Sequence, residues 1–226
     1  MNEQFLTERP TFPAQIDWSH PSTKGLVGCW LFNEKGMRVW DSSPYHNHLT
    51  TTLVDGAKRP STGLLLDGTN YASLTIPDFR SGDSQGAIEV WFRTTTTGAG
   101  WLFGSADEAS DTRYLAIFKD ASQKMNVYVI NGGSAKTVVG TRTTNNNGIW
   151  HHLVVSCNGT TWSFFIDGTA ESLTGSNTGE WFSFATARAN ITLGAAKTLS
   201  GVSNQFTGDI GFTRIYSRQM LAGEAR

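Results

Sequence analysis

The chain has 226 residues, of which 38% are hydrophobic and 12% aromatic but only 16% charged, and its formal net charge is −1. That composition excludes a coiled coil, a disordered tail and a collagen-like rod, and a chain of this length can bury roughly 70 to 75% of its unfolded surface in one core. The 18 Lys and Arg are scattered among 19 Asp and Glu, so neither nucleic acid nor a membrane surface is an expected partner, and no apolar stretch approaches the roughly 18 to 20 residues that span a bilayer.

Residues 1–24 differ from the rest: Pro10, Pro13 and Pro21 punctuate polar sequence with single apolar anchors at Phe5, Phe12, Ile16 and Trp18. They read as an extended N-terminal arm with no export leader. Residues 25–226 read as one domain of short apolar runs separated by turn chemistry, the pattern of antiparallel β-structure. In the first run Trp30 and Phe32 alternate with Cys29 and Leu31, which sends large aromatics to one face and smaller groups to the other. Asp67-Gly68 separates residues 64–66 from 71–76, and Asn131-Gly132-Gly133 separates 125–130 from 137–139. Asn158-Gly159 between residues 152–157 and 162–166 is a strong hairpin signal, and Asp167-Gly168 turns the chain again. About ten or more strands follow. Closing them without exposed edges predicts an all-β, two-sheet antiparallel jelly-roll sandwich. Trp91, Trp150, Phe165, Ile215 and Tyr216 are expected to fill the space between the sheets. The tail, residues 217–226, is compatible with a short C-terminal helix. Cys29 and Cys157, each inside an apolar run, are expected to be buried free thiols.

Hydrolytic chemistry finds no support in the residues. Retaining glycosidases need two carboxylates about 5 to 5.5 Å apart, which a strand supplies at i, i+2 or i+4 spacing. Here Glu89 is followed by Val90-Trp91-Phe92-Arg93, and Asp107, Glu108 and Asp111 fall in a polar loop. A nucleophile elbow, a zinc-binding His-Glu-x-x-His and a phosphate loop are missing as well, so the expectation is a protein that is not an enzyme. His46 and His48 read as a solvated turn and His152 as a core histidine. Aromatic-tipped loops over residues 44–48, 97–101 and 178–182 are where a sandwich would present rings to a sugar. The candidate ligand-binding residues are therefore Tyr45, His46, Asn47, His48, Trp101 and Trp181.

Several stretches together resemble laminin-G-like, concanavalin A-like jelly-roll domains. Gly25-Leu26-Val27-Gly28-Cys29-Trp30-Leu31-Phe32 resembles their opening strand; Asp41-Ser42-Ser43 with Asn47-His48 resembles an Asp-x-Ser turn; Leu66-Asp67-Gly68-Thr69-Asn70-Tyr71 resembles their F-D-G-x-x-D-Y hairpin. Ala87-Ile88-Glu89-Val90-Trp91-Phe92, Trp150-His151-His152-Leu153-Val154-Val155 and the run from Phe206 to Arg218 are similar to a central, a paired and the closing strand. The resemblance implies the sandwich fold. It also implies a calcium site in many members, whose matching position here is Asp41, whereas Gly211 and Phe212 replace the usual acidic pair of the closing strand and Asp209 stands two residues early. Asp41 and Asp209 are the expected ligands if calcium binds, with Asp41 also read as a turn-forming carboxylate; no cofactor is required. Residues 16–21 leading into 25–30 resemble jelly-roll proteins encoded among phage structural genes. The first functional expectation is thus a non-catalytic virion structural or adhesion protein, a capsid decoration or tail component. It would reside in the virion and contact other virion proteins or its own copies through the arm. The alternative is a free carbohydrate-binding lectin module, with glycans as partners.

Overall fold

The computed structural model describes residues 16–32, 36–52, 58–59 and 63–225; most of the expected arm, residues 1–15, lies outside the described residues. In chain order the strands are β1 (Leu26–Trp30), β2 (Arg38–Val39), β3 (Leu49–Thr51), β4 (Lys58–Arg59), β5 (Gly63–Asp67), β6 (Ala72–Thr75), β7 (Gly86–Arg93), β8 (Gly100–Ala106), β9 (Arg113–Lys119) and β10 (Met125–Asn131). They continue with β11 (Ser134–Gly140), β12 (His151–Cys157), β13 (Trp162–Ile166), β14 (Thr169–Ala170), β15 (Leu173–Gly175), β16 (Asn190–Leu193), β17 (Ala196–Thr198), β18 (Gly201–Ser203) and β19 (Thr207–Tyr216).

These strands make two large antiparallel sheets. An eight-stranded sheet runs β14-β13-β12-β7-β19-β5-β4 with β1 also paired to β19, and a nine-stranded sheet runs β15-β11-β10-β9-β8-β16-β6-β3-β2. The β17–β18 hairpin stands apart as a third, two-stranded sheet. The jelly-roll sandwich expected from the sequence is the fold observed.

The turn chemistry works as its residue types dictate. Asn131 pairs directly with Ser134, leaving Gly132-Gly133 as a two-residue connection with Gly132 at φ +63°, a conformation that glycine adopts without steric cost. At Asn158 the side-chain oxygen accepts from the backbone N–H of Thr160 and Thr161 at 2.9 and 2.8 Å, closing the β12–β13 hairpin over four residues. Asp67-Gly68 behaves differently from the hairpin expected there. It carries the chain from β5 in one sheet to β6 in the other, so the turn is a crossing between layers.

Between the sheets lies one large core that includes Trp30, Phe32, Phe92, Phe103, Trp162, Phe164 and Trp181. Burial of each such side chain contributes on the order of 1.5–3 kcal/mol or more. Of the five residues expected to fill this layer, only Ile215 does so. Ile88, Val90 and Phe92 take the inward positions of β7, so Trp91 faces outward, where it joins Leu26, Cys29, Leu31, Phe165, Phe212 and Tyr216 in a second apolar cluster with half-buried Trp150 packed against it. Ile16 packs on this cluster, and Met220 and Ala225 of the tail are part of it. The tail forms a turn at residues 222–224 in place of the expected helix. Ser156 Oγ bonds both the carbonyl and the N–H of Met220, at 2.9 and 3.0 Å, which pins the chain as it leaves β19. Among the described residues the one helical element is a single 3₁₀ turn, Pro21–Thr23. Both cysteines are free and buried.

Candidate functional site

The outer face of the nine-stranded sheet carries a row of aromatic rings. In β9 Leu115 and Ile117 point into the core, so Tyr114, Ala116 and Phe118 point out; in β10 Val127 and Val129 point in and Tyr128 points out. The fourth ring comes from β8 through a register shift. Trp101 pairs with Phe118 and Phe103 with Ile117, leaving Leu102 as the extra residue of a bulge. Without it Trp101 and Phe103 would share a face; with it Phe103 enters the core and Trp101 turns outward. The indole lies against Gly104, where an added Cβ would come within 2.9 Å of its ring, and the neighbouring outward residue on β9 is the small Ala116. Ring centroids are 5.2 Å apart for Trp101 and Tyr114, 5.5 Å for Tyr114 and Tyr128, and 6.4 Å for the stacked pair Trp101 and Phe118. Trp101 is only 7% exposed and packs with Ala196 of β17, so it braces Tyr114 and Phe118, which with Tyr128 keep part of their surface in solvent.

Polar groups border this platform at the β8–β9 end. Arg113 pairs with Asp107 at 3.2 Å and Lys197 with Glu108 at 2.9 Å. Asp111 accepts from Thr198 Oγ1 at 2.6 Å and from the N–H and Oγ of Ser200 at 2.9 and 2.6 Å, tying the loop to the β17–β18 hairpin. Burial, with Tyr128 and Asp111 beside it, pushes the Tyr114 hydroxyl up to about 12, so it remains a donor through the neutral and mildly alkaline range.

The other predicted residues are dispersed. Trp181 is 1% exposed and belongs to the main core, packed edge-to-face on Phe182; it cannot present a ring to a ligand, because its indole sits where Gly86 leaves room for it. The 36–48 segment does form an exposed aromatic cluster. Tyr45 is 55% exposed, and Trp40, which the sequence reading passed over, is 48% exposed with its ring 4.6 Å from His48. The guanidinium of Arg38 lies 4.4 Å over Trp40 and that of Arg80 5.9 Å over Tyr45. His46 is exposed, 5.8 Å from His48 between ring centroids. Asn47 and His48 hold the loop together: the Asn47 carbonyl accepts from Trp30 Nε1 at 2.9 Å, and His48 Nδ1 accepts from the Asp41 N–H at 2.9 Å.

Asp41 and Asp209 do not converge. Asp41 bridges to Trp30, which lies opposite Thr213, and Asp209 is four residues from Thr213, about 13 Å along the strand. Asp41 Oδ1 accepts from the N–H groups of Cys29 and Ser43, and Oδ2 from Ser43 Oγ and the Asn47 N–H, all at 2.8 Å. Asp209 is held by Arg93 Nε at 2.8 Å and by its Nη2. A carboxylate saturated by four protein donors and one paired with a guanidinium, on separate strands, do not fit the six to eight oxygens that calcium takes. Among the described residues no three His, Cys, Asp or Glu side chains are grouped to hold a metal ion.

The remaining carboxylates near histidines are structural. Glu89, on the outer face of β7, accepts from His152 Nε2 at 2.9 Å, Tyr216 Oη at 3.1 Å and Arg214 Nη1 at 3.3 Å. Burial alone would raise it; the Arg214 charge and the donors of His152 and Tyr216 hold it at about 2 instead. His152 also stacks on Trp91 at 5.1 Å. Asp167, despite partial burial, is likewise held near 2 by His151, the His152 N–H and Arg142. Carboxylates this acidic and this firmly paired are poorly suited to donate or take a proton near neutral pH.

Comparison with known proteins accords with this architecture. No curated protein matches the chain in sequence. Among solved structures, domain 4 of AbnA, an extracellular GH43 arabinanase of Geobacillus stearothermophilus in complex with arabinotriose, superposes with a TM-score of 0.66 at 17% identity, covering 88% of this chain and 96% of that one. The CBM40 of the Ruminococcus gnavus IT-sialidase, bound to α2,3 sialyllactose, gives 0.56 at 14% identity over 68% of this chain and 94% of that one. The leech intramolecular trans-sialidase gives 0.57 at 18% identity over 68% of this chain, and the match spans only 26% of that enzyme. A family model covers residues 66–226, from the end of β5 through β19 to the tail, and with it the chain belongs to the Laminin_G_3 family of the concanavalin A-like lectin/glucanases superfamily.

Proposed function

We propose that the protein is a non-catalytic glycan-binding module whose contact surface is the outer aromatic face of the nine-stranded sheet. The observation that carries this reading is the row Tyr114, Phe118 and Tyr128, partly exposed rings on two adjacent strands braced by Trp101. Such rings cover the apolar faces of sugars, while phenol hydroxyls and bordering carboxylates meet sugar hydroxyls. Strands hold these groups more rigidly than the 36–48 loop holds Tyr45 and Trp40. The superposed CBM40 and arabinanase domain are bound to sialyllactose and arabinotriose, which supports the lectin alternative over the virion expectation. None of the similar structures named above is described as part of a virus particle. The non-catalytic part of the reading rests on Glu89 and Asp167, both strongly acidic and committed to ion pairs.

A glycan array followed by titration of the bound class tests the proposal. Binding is expected to weaken about tenfold in Tyr114→Ala and Tyr128→Ala and to be unchanged in Tyr45→Ala. Absence of binding across the array, or binding indifferent to both platform substitutions, refutes it.

A further inference from the structure

The platform's charges discriminate between the two kinds of sugar seen in the superposed structures. Recognition of a carboxylate-bearing sugar calls for an available guanidinium or ammonium, since a charge-assisted pair is what separates an acidic sugar from a neutral one. The cations that border Tyr114 are already committed: Arg113 to Asp107 and Lys197 to Glu108. Lys119, at the end of β9, is fully buried, with Nζ donating to the Gly98 carbonyl at 2.6 Å and to Gln123 Oε1 at 2.7 Å. Lys124 lies at the opposite end of β10, four residues and about 13 Å from Tyr128. Against these stands Asp111, whose partners are hydroxyls and one N–H, so its charge is solvated without being neutralised. The β8–β9 border thus carries three carboxylates, Asp107, Glu108 and Asp111, against two cations. A ligand carboxylate over Tyr114 would meet Asp111 while Arg113 and Lys197 are held by Asp107 and Glu108, whereas a neutral sugar would offer hydroxyl donors to the Asp111 carboxylate.

The rings also set the shape of the ligand. The three partly exposed ones come from two adjacent strands: Tyr114 and Phe118 are four residues, about 13 Å, apart on β9, and Tyr128 of β10 stands opposite Ala116 between them, while Trp101 is covered by Ala196 of β17. Such a row is longer than a single sugar residue. Resting on the glycan-binding reading above, we propose that the ligand is a neutral, extended oligosaccharide laid along β9 and β10, and that acidic sugars are excluded by Asp111.

The full chain is titrated calorimetrically with a linear neutral series, arabino- and xylo-oligosaccharides of increasing length, and in parallel with 3′-sialyllactose. Affinity for a neutral series is expected to rise with chain length, sialyllactose to give no heat, and Tyr128→Ala to lose about tenfold. Asp111→Lys is expected to admit sialyllactose; near-UV circular dichroism confirms that each variant is folded. Tyr114→Phe keeps the ring where Tyr114→Ala fails to fold, and is expected to retain binding to within about tenfold. Sialyllactose binding that Tyr128→Ala abolishes overturns the ligand class while leaving the glycan-binding reading intact. Neutral binding that does not grow with length overturns the extended geometry. No binding to either series overturns both the class and the reading on which it rests.

Discussion

Replacing Glu89 by Gln tests the most heavily committed polar group in the eight-stranded sheet. The side chain keeps its shape but loses its charge, so Arg214 is left with no carboxylate, and two of the donors now aimed at Glu89, from Tyr216 and Arg214, face a neutral amide. Breaking a buried pair by neutralising one partner costs about 3–5 kcal/mol. Arg214 keeps 26% of its side chain in solvent, which favours the lower end, about 3 kcal/mol. For a domain of this size that is a fall in Tm of roughly 6–12 °C. The pH dependence carries a second signature. Glu89 is depressed from 4.5 to about 2, so the stability it contributes is fully present above its unfolded value and is lost as pH falls from about 4.5 toward 2. The acid limb of the stability curve should therefore be shallower in Glu89→Gln than in the native chain, with Asp167 among the other lowered carboxylates that supply what remains. Chemical denaturation followed by Trp fluorescence at several pH values measures both effects. A loss below about 1 kcal/mol with an unchanged acid limb would show that the pair contributes little; recovery of stability in a Glu89→Leu, Arg214→Met double variant would confirm that the cost lies in the orphaned charge.

Asp41→Ala removes the acceptor for three backbone N–H groups and should cost about 1–3 kcal/mol or more, while EDTA leaves the Tm and the glycan affinity of the native chain unchanged; a chelator-dependent Tm would reinstate a calcium role for Asp41. Trp181→Ala should cost about 3–5 kcal/mol with oligosaccharide affinity per folded molecule preserved, and loss of binding at undiminished stability would return Trp181 to the contact surface.

The layering of the sandwich could be read where side-chain size alternates sharply. Trp30 and Phe32 against Cys29 and Leu31 is such a case, and the structure sends the two pairs to opposite faces. On β7 the alternation misleads, because both faces of the eight-stranded sheet are covered: Ile88, Val90 and Phe92 look inward while Ala87 and Trp91 are buried on the other side. A sequence that is apolar on both faces does not say which set meets the opposing sheet. Asp41 was legible as a turn carboxylate, since an Asp two residues before a Ser bonds its own turn. The platform was less so. Trp101 is legible only as a ring at a loop tip, and its outward direction depends on the bulge at Leu102, which nothing in the local sequence marks. Tyr114 and Tyr128 did leave a signal, a tyrosine alternating with β-branched or Leu residues, but only the pairing of β9 with β10 brings them side by side. Asp67-Gly68 has the residues of a hairpin; that it changes sheets is decided by where β19 and β16 offer partners to β5 and β6.

The partners of β19 have a consequence for how the molecule is made. Its first half pairs with β5, its second half with β1, and its other edge with β7, so the last strand of the chain is the one that joins three segments laid down long before it. Until residues 207–216 have left the ribosome, those strands lack their shared neighbour, and the eight-stranded sheet stands open in the middle with unpaired N–H and C=O groups on both sides of the gap. Contacts spanning nearly the whole chain, such as Leu26 with Tyr216, are slow to form. The sheet is therefore completed only once residues 207–216 have emerged. During that interval the nascent chain depends on chaperones more than a domain closed by local hairpins would, and truncations at its C-terminal end should aggregate rather than fold.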